Sequence, residues 1–459
     1  MEKKKTRRKA VEWKNSRRLA VDLYLKQKDP QNNILSMPEL AVKPHQGYVD
    51  RIREVIHTAP PTPFKDVRIL MLLDQFNIGG TETYTLSVTR DLLRRGIHVV
   101  VAGKRGKMLD AFSALGCPVY EIGFVTDKYE LNVKEEEENV EQLKRIIQAE
   151  NISLVHIHQF PSGSQGMKAC EQLSVPVVIT VHGTYYEPAL FKLLDRCFAI
   201  IGVSPGIYND LRSKQIECRL IPNGIEHKLY EHRSLLGFGI RKSLGITDAS
   251  PIITYAARLS WEKGSICKDI IEASGKLRKE KFPDLKLLIL GDGHDLDELK
   301  KLVDHHNKEA QQRYIHVMGN VQNMAAYFSV SDCTIGTGRI ALEAMACECP
   351  VLAIGVKGYF GPVLPGRYAS AWETWFGDHG AVAGSIDQLS SDIEMILSMP
   401  HKRKNEWNWL SRKFIRNYFA INRTSEQLWD VYQKVLESQG DRDIGILRND
   451  NDKPLEWWH

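Results

Sequence analysis

Two positively charged side chains stand close together in the middle of the chain, where they suit a phosphate ligand. Arg258 follows a short apolar run, and Lys263 precedes Gly264 just before a helical stretch. An arginine can bind two phosphate oxygens at once, whereas a lysine supplies a compact single charge. The pair is typical of a diphosphate site, and exposed salt bridging is the alternative interpretation.

Glycine-rich turns elsewhere fit the same ligand. Gly79-Gly80 comes directly before a predicted helix, so the backbone there can approach a phosphate and point free N–H groups at it. Gly291-Asp292-Gly293 closes a predicted strand with a tight turn. A purely structural turn is the alternative interpretation for each glycine pair.

A carboxylate and an imidazole complete the set of candidates. Glu343 lies in an otherwise apolar helical stretch, just after the turn Gly336-Thr337-Gly338-Arg339. An unpaired charge there is costly unless it accepts hydrogen bonds, and the two hydroxyls of a ribose would donate them. His182 ends an apolar run and precedes Gly183, which indicates an imidazole at a cleft edge, beside a substrate hydroxyl or a developing charge. A structural histidine is the alternative.

The segments that carry these residues alternate between short β-rich runs and amphipathic helical runs, twice over. This pattern predicts an α/β protein with two tandem Rossmann-like domains. Ligands bind such sheets beyond the carboxyl ends of the strands, so we expect both domains to face a shared cleft. The predicted strands are Val67–Leu73, Val99–Ala102, Val119–Ile122, Leu154–His158, Val177–His182, Phe198–Val203, Ile252–Ala256, Leu285–Leu290, His316–Met318, Cys333–Ile335 and Val351–Ile354.

The rest of the chain is predicted to be accessory. A polar connector is expected to lead into the second domain and to run to about residue 250, and the chain beyond Gly361-Pro362 is expected to be mainly helical. The predicted regions are a basic N-terminal extension (1–64), a first domain (65–235), a second domain (236–400), C-terminal helices (401–438) and a polar tail (439–459).

Composition and charge narrow the class of protein. No apolar run approaches the roughly 18 residues of a membrane span, and no apolar segment follows the basic N-terminus, which favours a cytoplasmic protein. Residues 1–30 hold eleven Lys/Arg against four Asp/Glu, so the net charge of +5 belongs to this arm. Such an arm either contacts an anionic membrane, an acidic partner or nucleic acid, or stays solvated without a partner. Peripheral membrane contact is the hypothesis we retain, and no nucleic acid partner is expected.

The eight cysteines lie mostly inside apolar segments and include no C-x-x-C pair. Reduced, packed thiols are therefore expected. Cys347 and Cys349 lack the second pair or nearby histidines that a zinc site needs, so no metal site is predicted there.

Taken together and in their order along the chain, the motifs resemble the pattern of glycosyltransferase family 4. The resemblance spans about residues 67–355 and implies a GT-B fold, a retaining reaction, a nucleotide-diphosphate sugar as donor, and a C-terminal helix that crosses back onto the first domain. The motifs that carry it are Gly79-Gly80, His182, Pro222-Asn223-Gly224, Arg258 with Lys263-Gly264, Gly291-Asp292-Gly293 and Leu342-Glu343-Ala344-Met345-Ala346.

The resemblance also implies roles for individual residues. Arg258 and Lys263 would hold the donor diphosphate, and Glu343 would bind the ribose as the second glutamate of an E-x7-E motif. The first domain would bind the acceptor and the second the donor. His182 would contact the sugar near its anomeric carbon and joins Arg258 and Lys263 as the predicted catalytic set. The predicted donor-binding set is Gly79, Gly80, Arg258, Lys263, Gly291, Gly336, Gly338, Arg339 and Glu343.

The sequence departs from the family pattern beside this motif. The first glutamate should stand at position 335, where the chain has Ile335, and Glu348 replaces a glycine after the Ala-Met-Ala segment. Either Arg339 and the amides of residues 336–338 take over donor contacts, or the donor differs, or activity is reduced. The first is favoured because the diphosphate-binding cations are all present.

The expected function is retaining transfer of a sugar, from a UDP-type donor, to a hydroxyl of a glycan, lipid-linked or protein acceptor in cell-surface glycan or glycoconjugate synthesis. No cofactor and no metal are expected: no D-x-D match ends a strand, so protein cations and helix N-termini would stabilise the leaving diphosphate. Two alternatives stay open, a non-catalytic subunit that binds a nucleotide sugar or partner enzyme, and a nucleotide-sugar epimerase on the same fold.

Overall fold

A computed structural model describes residues 66–124, 133–183, 188–232, 234–260, 262–321, 323–379 and 384–438. All of them belong to one unit of the chain, Ile52–His459. The predictions for the basic arm and for the polar tail lie outside the described residues.

The first sheet is built from parallel strands with helices on both faces. Within the described residues it has seven strands in the order β3-β2-β1-β4-β5-β6-β7. Ile69–Leu73 of β1 is completely buried, because a parallel strand covered on both faces needs a continuous apolar run. The strands are β1 Arg68–Gln75, β2 His98–Lys104, β3 Val119–Glu121, β4 Leu154–Ile157, β5 Val177–Val181, β6 Ala199–Gly202 and β7 Arg219–Leu220.

The second sheet repeats this arrangement with one antiparallel edge strand. In the part of the chain described, its order is β10-β9-β8-β11-β12-β13, with β13 antiparallel to β12. The strands are β8 Ile252–Ala256, β9 Lys286–Leu290, β10 Ile315–Gly319, β11 Cys333–Gly336, β12 Val351–Gly355 and β13 Gly358–Pro362. The prediction of an α/β protein with two Rossmann-like domains is confirmed.

Amphipathic helices cover both sheets and bury their apolar sides in four clusters, two for each sheet. The helices of the first half are Gly80–Arg94, Leu109–Ser113, Val133–Ala149, Phe160–Leu173, Pro188–Leu194 and Pro205–Ser213. Those of the second half are Ser234–Ser243, Glu262–Glu280, Leu296–Glu309, Met324–Phe328, Gly338–Ala346, Tyr368–Glu373, Ile386–Leu397, His401–Tyr418 and Ile421–Glu437.

The chain passes between the two sheets at two neighbouring places. The Ile225 amide donates to the Phe419 carbonyl at 2.6 Å, and the Ile421 amide donates to the Ile225 carbonyl at 3.0 Å. Before this junction the His401–Tyr418 helix packs on the second sheet, and after it the Ile421–Glu437 helix packs on the first. The Ile421–Glu437 helix therefore lies in the core of the N-terminal half.

Four elements differ from the sequence-based expectation. The predicted polar connector contains the helix Ser234–Ser243, whose Ile240 packs against the core of the second sheet beside the Met324–Phe328 helix. The strands β7 and β13 and the helix Tyr368–Glu373 were not predicted. Glycine and proline make up three of the five β13 residues, which is tolerated only because β13 is an edge strand.

Candidate functional site

The two sheets meet at the loops that follow β1 and β8. Arg258 lies just beyond β8, and its Nη2 atom donates to the carbonyl oxygen of Ile78, on the loop after β1, at 3.3 Å. A side chain added at Gly79 would place its Cβ 3.3 Å from the same Nη2 atom. The structure therefore brings the predicted cation of the second half to the predicted glycine pair of the first.

The start of the Gly80–Arg94 helix is open beside the Arg258 side chain. A Cβ added at Gly80 would meet nothing within 4 Å, although Gly80 begins a 15-residue helix. The N–H groups of a first helical turn have no partner within the helix, and they carry its positive dipole end. An anion can approach this backbone closely, which fits the predicted role of the pair.

Two carboxyl groups beside the loop that Arg258 contacts were missed in the sequence analysis. Glu82 lies in the first turn of the Gly80–Arg94 helix and is 5% exposed. Its Oε1 atom accepts from Gln159 Nε2 at 3.1 Å, and the Gln159 Oε1 atom accepts from the Asp74 amide at 2.8 Å. Burial raises the pKa of Glu82 and of Asp74, while the Arg258 charge lowers that of Glu82. Their position directly before and after the loop that ends in Gly79 is the sequence signal that could have found them.

Lys263 lies in the first turn of the Glu262–Glu280 helix. Its carbonyl accepts from the Tyr255 hydroxyl at 2.9 Å, which ties this turn to β8. Its Nζ atom is 4.0 Å from Asp378 Oδ2, and both side chains are partly exposed. A pair this long and this exposed is weak, so the ammonium can turn to an anionic ligand. Asp378 was not identified from the sequence.

Gly291 follows β9 at a point of close backbone contact. Its φ is +132°, and a Cβ there would lie 1.8 Å from the carbonyl oxygen of Ala257, the residue before Arg258. A glycine is needed here because the backbone of the loop that carries Arg258 lies too close for a side chain. Direct donor binding by Gly291 stays a prediction.

Arg339 and Glu343 form a buried ion pair in the Gly338–Ala346 helix. Arg339 Nε donates to Glu343 Oε1 at 2.7 Å, and the two side chains are 8% and 4% exposed. The Tyr230 hydroxyl also hydrogen-bonds the Glu343 carboxylate. Burial raises the pKa of Glu343, and the Arg339 charge opposes that shift.

The Arg339 guanidinium also joins parts of the chain that are distant in sequence. Its Nη1 atom donates to Asn223 Oδ1 at 2.8 Å and to the Gly224 carbonyl at 3.0 Å, while Nη2 lies 3.5 Å from Ser87 Oγ. These bonds link the second half to the connecting segment and to the first helix. Glu343 and Arg339 are thus engaged with protein atoms, and their binding of ribose and donor sugar stays a prediction.

The turn before this pair is fixed by packing. Gly338 has φ +54°, and a Cβ there would lie 2.6 Å from the indole nitrogen of Trp375. A Cβ at Gly336 would lie 2.7 Å from Ile340 Cγ2. Ile335, at the position where the family pattern has a glutamate, is fully buried in the core of the second sheet. Packing therefore explains why positions 336 and 338 are glycines. Their contact with the donor stays a prediction.

His182 follows β5 at the same edge of the first sheet. Its Nε2 atom lies 3.2 Å from Nδ1 of His158, and its ring meets Tyr84 edge-on at 5.1 Å. Burial and, to a lesser extent, the Arg339 charge together lower the pKa of His182 to about 3. His182 is therefore a neutral imidazole near the Arg339 network, and His158 is a neighbour that the sequence analysis did not name.

Two features of the described residues bear on the expectations for metals and membranes. No group of three or more His, Cys, Asp and Glu side chains that could hold a metal ion is found there. Nor do these residues include a helix with the length and apolar character needed to cross a membrane. All eight cysteines lie in the described part, and none forms a disulfide.

Family models match most of the described chain. Residues 78–229 match Glycosyltransferase Family 4, and residues 239–406 match Glycosyl transferases group 1. The chain is 22% identical over 396 residues to N-acetyl-alpha-D-glucosaminyl L-malate synthase of Bacillus anthracis, covering 78% of this chain and 95% of that protein. It is 27% identical over 237 residues to alpha-monoglucosyldiacylglycerol synthase of Acholeplasma laidlawii, covering 44% of this chain and 58% of that protein.

Solved glycosyltransferase structures share the fold. A glycosyltransferase of Rickettsia africae aligns with a TM-score of 0.65 and 18% identity, over 81% of this chain and 99% of that one. HepE of Anabaena, solved with UDP and glucose, aligns with a TM-score of 0.63 and 16% identity, over 80% and 100%. With the two parallel sheets and the motifs at their strand ends, these matches identify the chain as a glycosyltransferase of family 4 with the GT-B fold.

Proposed function

We propose that this glycosyltransferase moves a sugar from a UDP-sugar to a hydroxyl acceptor with retention of configuration, and that its reaction needs no metal ion. The observation that carries the proposal is the contact between Arg258 and the loop that ends in Gly79-Gly80. It sets a cation of the second half against an open helix N-terminus of the first.

The diphosphate of the donor would lie between these groups. Arg258 would bind phosphate oxygens with its guanidinium, Lys263 would leave its long contact with Asp378 to add a second charge, and the amides at Gly80 would add the helix dipole. These groups act where negative charge develops as the glycosidic bond breaks, so they would stabilise the transition state more than the bound donor.

The sugar and the acceptor would meet beside His182, on the first half of the protein. A neutral imidazole at this edge suits a hydroxyl group, because its unprotonated nitrogen can accept a hydrogen bond from the hydroxyl without carrying a charge. Hydroxyls of glycans, lipid-linked sugars and proteins are all within the proposed acceptor class. We place the reaction in cell-surface glycan or glycoconjugate synthesis at the cytoplasmic face of a membrane, with the basic arm as the membrane contact.

One observation supports uridine as the proposed base. The structural relative HepE has been solved with UDP, with UDP and glucose, and with UDP-glucose. However, a mannosyltransferase of Corynebacterium glutamicum that is 28% identical over 217 residues is named for GDP-mannose. GDP- and ADP-sugars therefore belong in any test.

The test is release of nucleoside diphosphate from UDP-, GDP- and ADP-sugars, with and without sugar and lipid acceptors, in chelator and in Mg²⁺. We expect release only with a UDP-sugar and an acceptor, equal rates in chelator, and a product whose anomeric configuration by NMR matches the donor. Release without acceptor together with an epimerised sugar would indicate an epimerase. Tight UDP binding without turnover across the panel would indicate a non-catalytic subunit.

A further inference from the structure

Three histidines lie in a row across the carboxyl ends of β4 and β5. His156 is the third residue of β4, His158 follows its end, and His182 follows the end of β5. The His156 and His158 rings are 4.1 Å apart between centroids, and the His158 and His182 rings are 5.5 Å apart. The last of the three reaches the proposed site, and the first two lie behind it.

The contacts of His158 indicate which of its nitrogens carries the proton. Its Nε2 atom lies 3.4 Å from the Met71 sulfur, and its Nδ1 atom lies 3.2 Å from His182 Nε2. A thioether has no hydrogen to donate, so the contact is favourable only if His158 Nε2 carries a hydrogen. Burial keeps the pKa of His158 well below its usual value, so this ring is neutral and has one N–H. Its Nδ1 atom is then a hydrogen-bond acceptor.

The same reasoning shows which nitrogen of His182 carries the proton. An accepting Nδ1 on His158 requires that His182 donate its own Nε2–H in the shared hydrogen bond. His182 is also neutral, with a pKa of about 3 caused by burial and then by the Arg339 charge, so its Nδ1 atom holds a lone pair. Among the residues that the structure describes, no partner of this Nδ1 atom is recorded. The opposite arrangement would bury a His158 lone pair against the sulfur and leave it unsatisfied, which is unfavourable.

We propose that His158 is a positioning residue that fixes the proton of His182 on Nε2, so that His182 Nδ1 accepts a hydrogen bond from a hydroxyl of the bound substrate. This inference rests on the proposed function for the identity of the substrate, a sugar or its acceptor. The ligand group is a hydroxyl and not a phosphate oxygen, because a lone pair on Nδ1 repels an anionic oxygen.

The direct test needs neither substrate nor activity. In the intact protein labelled with ¹⁵N-histidine, long-range ¹H–¹⁵N correlation NMR should show a proton bonded to His182 Nε2 and coupled to His158 Nδ1, with His182 Nδ1 unprotonated. Single histidine variants assign the signals. A proton bonded to His158 Nδ1, a protonated His182 Nδ1, or no coupling between the two rings would overturn the inference, whatever the enzyme transfers.

Kinetics then connect this hydrogen bond to the reaction. His158→Phe keeps a ring but removes the acceptor. It should lower kcat on the order of tenfold to a hundredfold, the loss that is typical when the hydrogen-bond partner of a metal-bound histidine is removed. His158→Gln offers an amide oxygen and should restore part of the loss. His316→Phe, at a buried histidine of β10, is the matched control and should leave kcat unchanged. Equal kcat in His158→Phe and wild type would contradict the inference.

Discussion

Arg339 Nε donates to Glu343 Oε1 at 2.7 Å, one helical turn apart, in a region where both side chains are less than a tenth exposed. The pair neutralises a carboxylate that would otherwise be buried alone. Its guanidinium also reaches Asn223 and Gly224, on the segment between the two sheets. A charge that looks isolated in the sequence is thus part of the contact between the two halves.

Removing the charge of Glu343 should destabilise the protein strongly. Glu343→Gln leaves the Arg339 cation buried without its counter-ion, and breaking a buried pair in this way typically costs about 3–5 kcal/mol. Urea denaturation measures the change. The double variant Arg339→Met with Glu343→Gln should lose less than the sum of the single variants.

The matched control is an exposed pair in the same half of the chain. Lys268 Nζ and Glu298 Oε1 are 2.6 Å apart at the surface. Glu298→Gln should leave the denaturation midpoint unchanged, because exposed pairs contribute little. Equal shifts for Glu343→Gln and Glu298→Gln would refute the role of the buried pair.

Gly80→Ala should separate stability from donor binding. Nothing lies within 4 Å of a Cβ at Gly80, so the variant should fold as stably as the wild type. The added methyl group would stand where the diphosphate approaches the helix, and we expect the KM for the donor to rise about tenfold or more. Gly239→Ala, in the Ser234–Ser243 helix, is equally open and serves as control. A KM that is unchanged in both variants would place the donor elsewhere.

The buried His156 should make stability fall in acid. Burial lowers its pKa to about 3, against about 6.5 in an unfolded chain, so unfolding takes up a proton between these values. The contribution of the neutral, buried His156 to the free energy of unfolding is complete above pH 6.5. It is lost as pH falls towards 3, with a slope of about 1.4 kcal/mol per pH unit. In His156→Gln this part of the slope should disappear between pH 4 and 6.

Tyr432→Phe is the matched control for this measurement. The Tyr432 hydroxyl lies 2.6 Å from His156 Nδ1, so the variant loses a buried hydrogen bond but keeps the histidine. Its free energy of unfolding should drop by roughly 1–3 kcal/mol at every pH, with the slope preserved. An unchanged slope in His156→Gln would show that another group takes up the proton.

The strands of both sheets could be predicted because burial on both faces demands apolar runs. β1, β5 and β8 lie within two residues of their predicted ends. β13 could not be predicted, since Gly358, Gly361 and Pro362 weaken its apolar pattern and its pairing with β12 is a tertiary contact. The Ser234–Ser243 helix was missed because it directly follows a polar stretch.

The candidate site was predictable where one residue at a strand end carries the chemistry. Arg258 and Gly79 come together because each follows the carboxyl end of a central strand. The sequence could not show that Arg339 faces Asn223, since those residues are 116 positions apart. The spacing of four residues between Arg339 and Glu343 was nevertheless a usable signal, because side chains at that spacing share one face of a helix.

The most direct measurement is UDP binding and sugar transfer by Arg258→Ala with Lys263→Ala. Each lost charge-assisted hydrogen bond costs about 1.5–3 kcal/mol, which is roughly tenfold to a hundredfold in affinity. The double variant should therefore bind UDP at least about a hundredfold more weakly by calorimetry and transfer sugar correspondingly more slowly. Lys276→Ala, an exposed lysine of the same helix paired with Asp387, should behave as wild type. UDP affinity and transfer rate that both remain at the wild-type values in the double variant would contradict the proposed donor site.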